Sequence, residues 1–201
     1  MNRINKPSSV LALLMAGAML LAGCSAAQPA EEPPLAGAAI GSDFALTNSK
    51  GQTVRWGDFA GKYRVVYFGY AFCPDVCPTD MQRVAQGLKV LKGQDPAKAA
   101  KIVPVFITID PERDNQQVVG EFAAAFSPDI IGLTGTPEQI AAAAKAFKVY
   151  YAKGEATPDG GYLVDHSNIT YLFGPDGAPI ATLPTDQGGD AVAAELAKWV
   201  N

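Results

Sequence analysis

Tyr63-Arg64-Val65-Val66-Tyr67-Phe68-Gly69-Tyr70-Ala71-Phe72-Cys73-Pro74-Asp75-Val76-Cys77-Pro78-Thr79 is the stretch that decides the fold. Its first half, Tyr63 to Tyr70, is apolar except for Arg64, the composition of a strand buried on both faces. Its second half is a loop with two cysteines separated by three residues. Thr79 with Gln82 can close a capping box, which predicts a helix from Thr79 to about Lys92. A strand, a cysteine loop and a helix therefore follow one another directly.

Outward from this unit the same alternation continues. Ile102 to Ile109 reads as a second buried strand and Ile130 to Leu133 as a short one. Residues 114 to 126 and 136 to 148 read as helices, the second opened by Thr136-Pro137 with Glu138. Upstream, Phe44-Ala45-Leu46-Thr47, the turn Asn48-Ser49-Lys50-Gly51 and Thr53-Val54-Arg55-Trp56 predict a hairpin. Downstream, Tyr162 to Val164, Ile169 to Phe173 and Pro179 to Leu183 read as strands. Gly174-Pro175-Asp176-Gly177 is the turn between the last two, and residues 189 to 200 form a closing helix. The order is that of an α/β fold with one mixed sheet flanked by helices.

Cys73 and Cys77 share the chain with a single histidine, His166. Two thiolates and an imidazole suit Cu(I), whereas a Mg or Ca site gathers carboxylates and carbonyls. The blander readings stand beside this one. A cysteine pair outside the cytosol is also the mark of a structural or redox disulfide, and a lone histidine is commonly a satisfied polar residue. Cys77, just ahead of the predicted helix, is expected to be favoured as a thiolate by the helix N-terminus. His166 follows Cys73 by 93 positions, so a shared site exists only in the folded domain.

The first residues point to the cell envelope. Arg3 and Lys6, the apolar run Val10 to Ala22 and the closing Leu21-Ala22-Gly23-Cys24 follow the order of a secretory signal, in a run too short to span a membrane comfortably. The tetrapeptide resembles a bacterial lipobox, which implies cleavage before Cys24 and lipidation of its sulfur. Residues 1–23 are thus expected to be a lipoprotein signal, 24–37 a lipidated Cys and Pro/Ala-rich tether, and 38–201 a single domain without internal repeats. Loss of residues 1–23 removes Arg3 and Lys6 and no acid, leaving 14 Lys+Arg against 20 Asp+Glu. A surface of that sign does not recruit nucleic acid and gives no polybasic help at a membrane, so attachment rests on the lipid.

The element order resembles a thioredoxin-like fold with an N-terminal β-hairpin of the peroxiredoxin type. The loop Phe68 to Thr79 resembles that of the Sco/SenC family. Thr108-Ile109-Asp110-Pro111-Glu112-Arg113-Asp114 resembles the family's strand-end segment, and Val164-Asp165-His166-Ser167 with Tyr171-Leu172 and Gly174-Pro175-Asp176-Gly177 its histidine loop and hairpin. The resemblance implies a copper-binding assembly factor for the dinuclear copper centre of cytochrome c oxidase, with Cys73, Cys77 and His166 as ligands to Cu(I) or Cu(II). It names no copper donor. Ordinary thioredoxins leave two residues between their cysteines; here Pro74-Asp75-Val76 makes three, so the sulfurs can sit wider and face one ion, with a disulfide still in reach.

Other residues of these motifs are weaker candidates. Asp165 is placed to orient the imidazole or to remain a solvated loop residue, and Asp75 to tune the thiolates or to cap a turn. Asp110, before Pro111, is expected to start a turn. Met81 is the only methionine beyond the signal segment, which leaves no thioether-rich copper route. Three functions compete. A metallochaperone needs all three ligands and no turnover chemistry. A thiol-disulfide reductase needs only the redox pair Cys73 and Cys77. A zinc site of two Cys and one His leaves an open fourth position but lacks an evident general base. A peroxidase is disfavoured by Tyr70, which stands where peroxiredoxins carry a Thr.

Overall fold

The Asn48 side-chain oxygen accepts from the Lys50 and Gln52 amides (2.9 and 3.0 Å), and Gly51 takes a positive φ of 74°. That local turn chemistry closes the hairpin of β1 (Ala45–Asn48) with β2 (Thr53–Arg55), paired antiparallel as expected. The computed structural model describes residues 31–156 and 160–201; the expected signal segment, Cys24 and the first part of the tether lie outside the described residues. Pro33–Asn201 forms one compact unit. Leu35 N–H already donates to the Ile180 carbonyl (2.9 Å), so the packed part begins a few residues ahead of position 38.

Every residue of β3 (Tyr63–Gly69) is buried, including Arg64. The Arg64 guanidinium is accommodated by the Gly174 carbonyl (2.6 Å) and by the Trp56 ring 4.5 Å away. After β3 come α1 (Val76–Gln94), the short α2 (Pro96–Ala99), β4 (Ile102–Thr108), α3 (Gln116–Phe126), β5 (Ile131–Thr134) and α4 (Pro137–Ala146). The capping box at α4 joins Thr136 to Gln139. The chain then forms β6 (Tyr151–Ala156), β7 (Tyr162–His166), β8 (Thr170–Phe173), β9 (Pro179–Leu183) and α5 (Gly189–Trp199).

Seven strands form one mixed sheet in the order β2-β1-β5-β4-β3-β8-β9, with β3, β4 and β5 parallel and the others antiparallel to their neighbours. One core holds Val84 and Leu91 of α1 and Val192, Leu196 and Trp199 of α5 against Val65, Leu172 and Ala181. The larger core gathers α3 and α4 residues, Val119 and Ile140 among them, with Leu46, Phe68 and Ile107.

Two expectations are corrected. Helix α1 begins at Val76 and not at Thr79, because the Thr79 hydroxyl turns back to donate to the Asp75 carbonyl (3.0 Å) instead of capping. The sheet is also not the only one. β7 pairs with β6 in a separate two-stranded ribbon, and β6 was not expected as a strand.

Candidate metal centre

Gly69 ends β3 and its carbonyl accepts from Ile109 N–H (2.8 Å), so the end of β3 is held against β4 as the chain leaves the sheet. A Cβ on Gly69 would lie 2.9 Å from the Cys77 sulfur and 2.8 Å from the Tyr67 ring, so only glycine lets the sulfur seat against the strand end. The cysteine loop is tied down by its neighbour segment: the buried Asp114 carboxylate accepts from Ala71 N–H (2.8 Å) and from the Thr108 hydroxyl (2.7 Å). Cys73 follows in the turn before α1, and Cys77 is the second residue of the helix. Its backbone N–H points at the Cys73 sulfur (3.4 Å).

His166 closes the site from the other side as the last residue of β7. Its Nδ1 lies 3.0 Å from the Ser167 carbonyl oxygen, an atom that only accepts, so the proton sits on Nδ1. Nε2 then carries the lone pair, 3.2 Å from the Cys77 sulfur, and accepts from that thiol. The ligand atoms of Cys73, Cys77 and His166 all lie within 4.8 Å of one another. The Tyr67 and Tyr70 rings meet the imidazole edge-on, with centroids 6.3 and 5.9 Å away. The three residues are thus positioned to bind a metal ion.

A ligand pair at bond lengths of about 2.3 Å for sulfur and about 2.0 Å for nitrogen, at a trigonal angle, is about 3.7 Å apart. The S···N contact must therefore open by roughly half an ångström as a metal replaces the thiol proton.

Cys77 has no exposed surface, and burial pushes its thiol well above the ordinary range. The helix N-terminus does not prevail over that desolvation, so the expected thiolate requires a cation or a base at the site. Behind it, the Tyr67 hydroxyl donates to the buried Asp80 carboxylate (3.2 Å), whose own titration is raised by burial and partly offset by hydrogen bonds from Thr185 and Tyr67.

Asp165 is exposed and points to the face of β7 opposite His166; the imidazole is oriented by the Ser167 carbonyl in its place. Asp75 is exposed at the start of α1 and makes no side-chain cap. Among the described residues neither joins the metal-capable group. Sequence reading did not foresee the work of the Asp110–Asp114 segment. Besides the turn expected of it, Asp110 accepts from Arg113 Nε (2.5 Å) and from the Tyr162 hydroxyl (2.8 Å), and Arg113 donates to the Tyr162 carbonyl (2.9 Å). The only signal for this was the motif's likeness to the family's segment.

A family model described as SCO1/SenC matches residues 32–201. The chain belongs to the SCO1/SenC family. It is 43% identical over 147 residues to Protein SCO1 homolog 1, mitochondrial, of Arabidopsis thaliana, covering 73% of this chain and 43% of that one. It is 46% identical over 142 residues to Protein SenC of Rhodobacter capsulatus, covering 70% and 61%. The chain spans about half the length of the curated relatives it matches. The crystal structure of Arabidopsis thaliana ScoI with copper bound superposes with a TM-score of 0.74 at 37% identity, covering 80% of this chain and 98% of that one. The fold is thioredoxin-like, as the element order led us to expect.

Proposed function

We propose that this chain is a copper carrier that takes up one copper ion through Cys73, Cys77 and His166 and passes it by ligand exchange to the copper-centre subunit of cytochrome c oxidase. The observation that carries the reading is the convergence of two sulfurs and one imidazole lone pair within 4.8 Å. The donor set fits the ion, since thiolates and imidazole are the soft and borderline ligands copper prefers. Copper is the cargo here, and Cys73, at the edge of burial, is the more accessible of the two sulfurs, with the half-buried His166 imidazole beside it. Among the described residues four large apolar side chains stay exposed: Phe72 in the cysteine loop, Leu163 on β7, and Tyr150 and Ile169 flanking the ribbon. A protein recipient can cover such exposed apolar side chains, Phe72 beside Cys73 foremost.

In this reading residues 1–23 are removed, Cys24 carries the lipid, and the domain works on the outer side of a cell-envelope membrane. No helix among the described residues is long and apolar enough to cross a membrane.

A second reading rests on the two free thiols. Cys73 as thiolate attacks a partner disulfide, the mixed disulfide forms, and Cys77 displaces the partner's second product thiolate; the partner gains two electrons and the chain keeps a Cys73–Cys77 disulfide. One variant separates the two. His166→Ala should lose oxidase maturation in cells while its reduction of a model disulfide persists. If maturation survives, the reductase reading takes its place.

A further inference from the structure

The ribbon that delivers His166 is not part of the main sheet. A two-stranded ribbon is marginal by itself in water, so its position must come from ties to the body of the domain. Besides the exposed pair of Lys153 on β6 with Glu112 (2.6 Å), those ties fall on one face of β7. Tyr162, Val164 and His166 alternate inward while Leu163 and Asp165 are exposed. Val164 N–H donates to the Tyr70 hydroxyl (3.3 Å), and His166 ends against Cys77.

The first of the three, Tyr162, is held by Arg113. The guanidinium donates to the Tyr162 carbonyl (2.9 Å) and lies 3.6 Å from the centre of its ring. It also lies 5.7 Å from the Tyr70 ring and 5.2 Å from the Phe72 ring, both in the cysteine loop. Its Nε is fixed by Asp110, which takes the Tyr162 hydroxyl on its other oxygen. One side chain therefore touches both halves of the metal centre.

We infer that Arg113 is a positioning residue, a clasp that sets where β7 lies against the cysteine loop and so where His166 meets the sulfurs. Tyr162 and His166 are four residues apart on a strand, about 13 Å, and a strand transmits a displacement over that length with little loss. The planar fork is what the arrangement uses: one edge on Asp110, one nitrogen on a carbonyl, the flat face on an aromatic ring. This inference rests on the copper-carrier reading for its consequence, though not for its geometry.

Because His166 is the only histidine, its imidazole signals in an NMR spectrum of the reduced apo protein belong to one residue. Arg113→Met keeps the stem and removes the fork. The expected result is weakened cross-relaxation between the imidazole and the Tyr67 and Tyr70 rings, and a Cu(II) affinity that falls about 10- to 100-fold, towards that of His166→Ala, while Cu(I) affinity stays within about threefold. Arg113→Lys, which keeps a cation but not the fork, should give an intermediate loss. Unchanged ring contacts in Arg113→Met overturn the clasp, as does an equal loss of both copper states. If Arg113→Met does not fold, Arg113→Lys carries the test with the same readouts, and wild-type ring contacts in it overturn the clasp. Should His166→Ala itself bind Cu(II) like the wild type, the carrier reading fails, and the apo ring contacts alone decide the clasp.

Discussion

Replacing His166 by alanine removes one ligand of three, and the geometry says which copper state will register the loss. The three ligand atoms lie within 4.8 Å of one another. Two metal–sulfur bonds of about 2.3 Å laid end to end span about 4.6 Å, a separation the site's dimensions allow, so Cys73 and Cys77 can hold Cu(I) in line with no third ligand. Cu(II) favours tetragonal sites containing nitrogen or oxygen, and loses its only imidazole. We expect Cu(II) affinity to fall by at least about 100-fold, or about 2.7 kcal/mol, and Cu(I) affinity by less than about tenfold. Competition titrations of the pre-reduced protein against chelators of known affinity, run without oxygen and with Cu(I) and Cu(II) added separately, measure both. Equal losses for the two states, or no loss of Cu(II), would refute the assignment of His166 as a ligand.

Burial raises the Cys77 thiol, so the apo protein holds that proton at neutral pH and copper must displace it. Apparent Cu(I) affinity should climb about tenfold per pH unit for each thiol proton released, and Cys77's share should persist above about pH 9, an ordinary thiol value; a plateau below that in competition titrations contradicts it. Asp114→Ala strips the Ala71 amide and the Thr108 hydroxyl of their acceptor and should destabilise the fold by about 3 kcal/mol in urea unfolding, whereas Asp114→Asn should stay within about 1 kcal/mol. Burial also raises the Asp114 carboxyl, so its contribution is present below about pH 4 and lost as pH rises through the folded-state value; relative to wild type, Asp114→Asn should therefore gain as pH goes from about 4 to about 7. Alkylation followed by mass spectrometry should label reduced apo protein at Cys73 before the fully buried Cys77, and should find both blocked in oxidised and copper-loaded protein. Labelling of both cysteines in the oxidised protein would mean that no disulfide forms between them.

The central strands were legible because their signal is local. Tyr63 to Gly69 and Ile102 to Thr108 are long apolar runs, and the β1–β2 turn is written in Asn48 and Gly51. The ligand triplet was legible because soft donors are scarce in this chain. β6 was not: Tyr151-Ala152-Lys153-Gly154-Glu155-Ala156 mixes alanines and a glycine with two charged residues, lacks β-branched side chains and becomes a strand by pairing with β7. The start of α1 was misread because Thr79 satisfies a capping pattern on paper while its hydroxyl finds the Asp75 carbonyl. Most of the contacts that assemble the centre join residues far apart in the chain. Asp114 reaches Ala71 across 43 positions and Arg113 reaches Tyr162 across 49, distances over which no local pattern carries information. The thiol chemistry of Cys77 was misjudged for the same reason, since a helix terminus is visible in sequence and the depth of burial is not.

Copper content and copper K-edge absorption of the reduced domain, residues 33–201, address the metal centre directly. One copper per chain with two sulfur neighbours at about 2.3 Å and one nitrogen at about 2.0 Å, the sulfur shell lost in Cys73→Ala and Cys77→Ala, is the expected result. Stoichiometric zinc in place of copper, or a copper shell unchanged by either cysteine substitution, would contradict it.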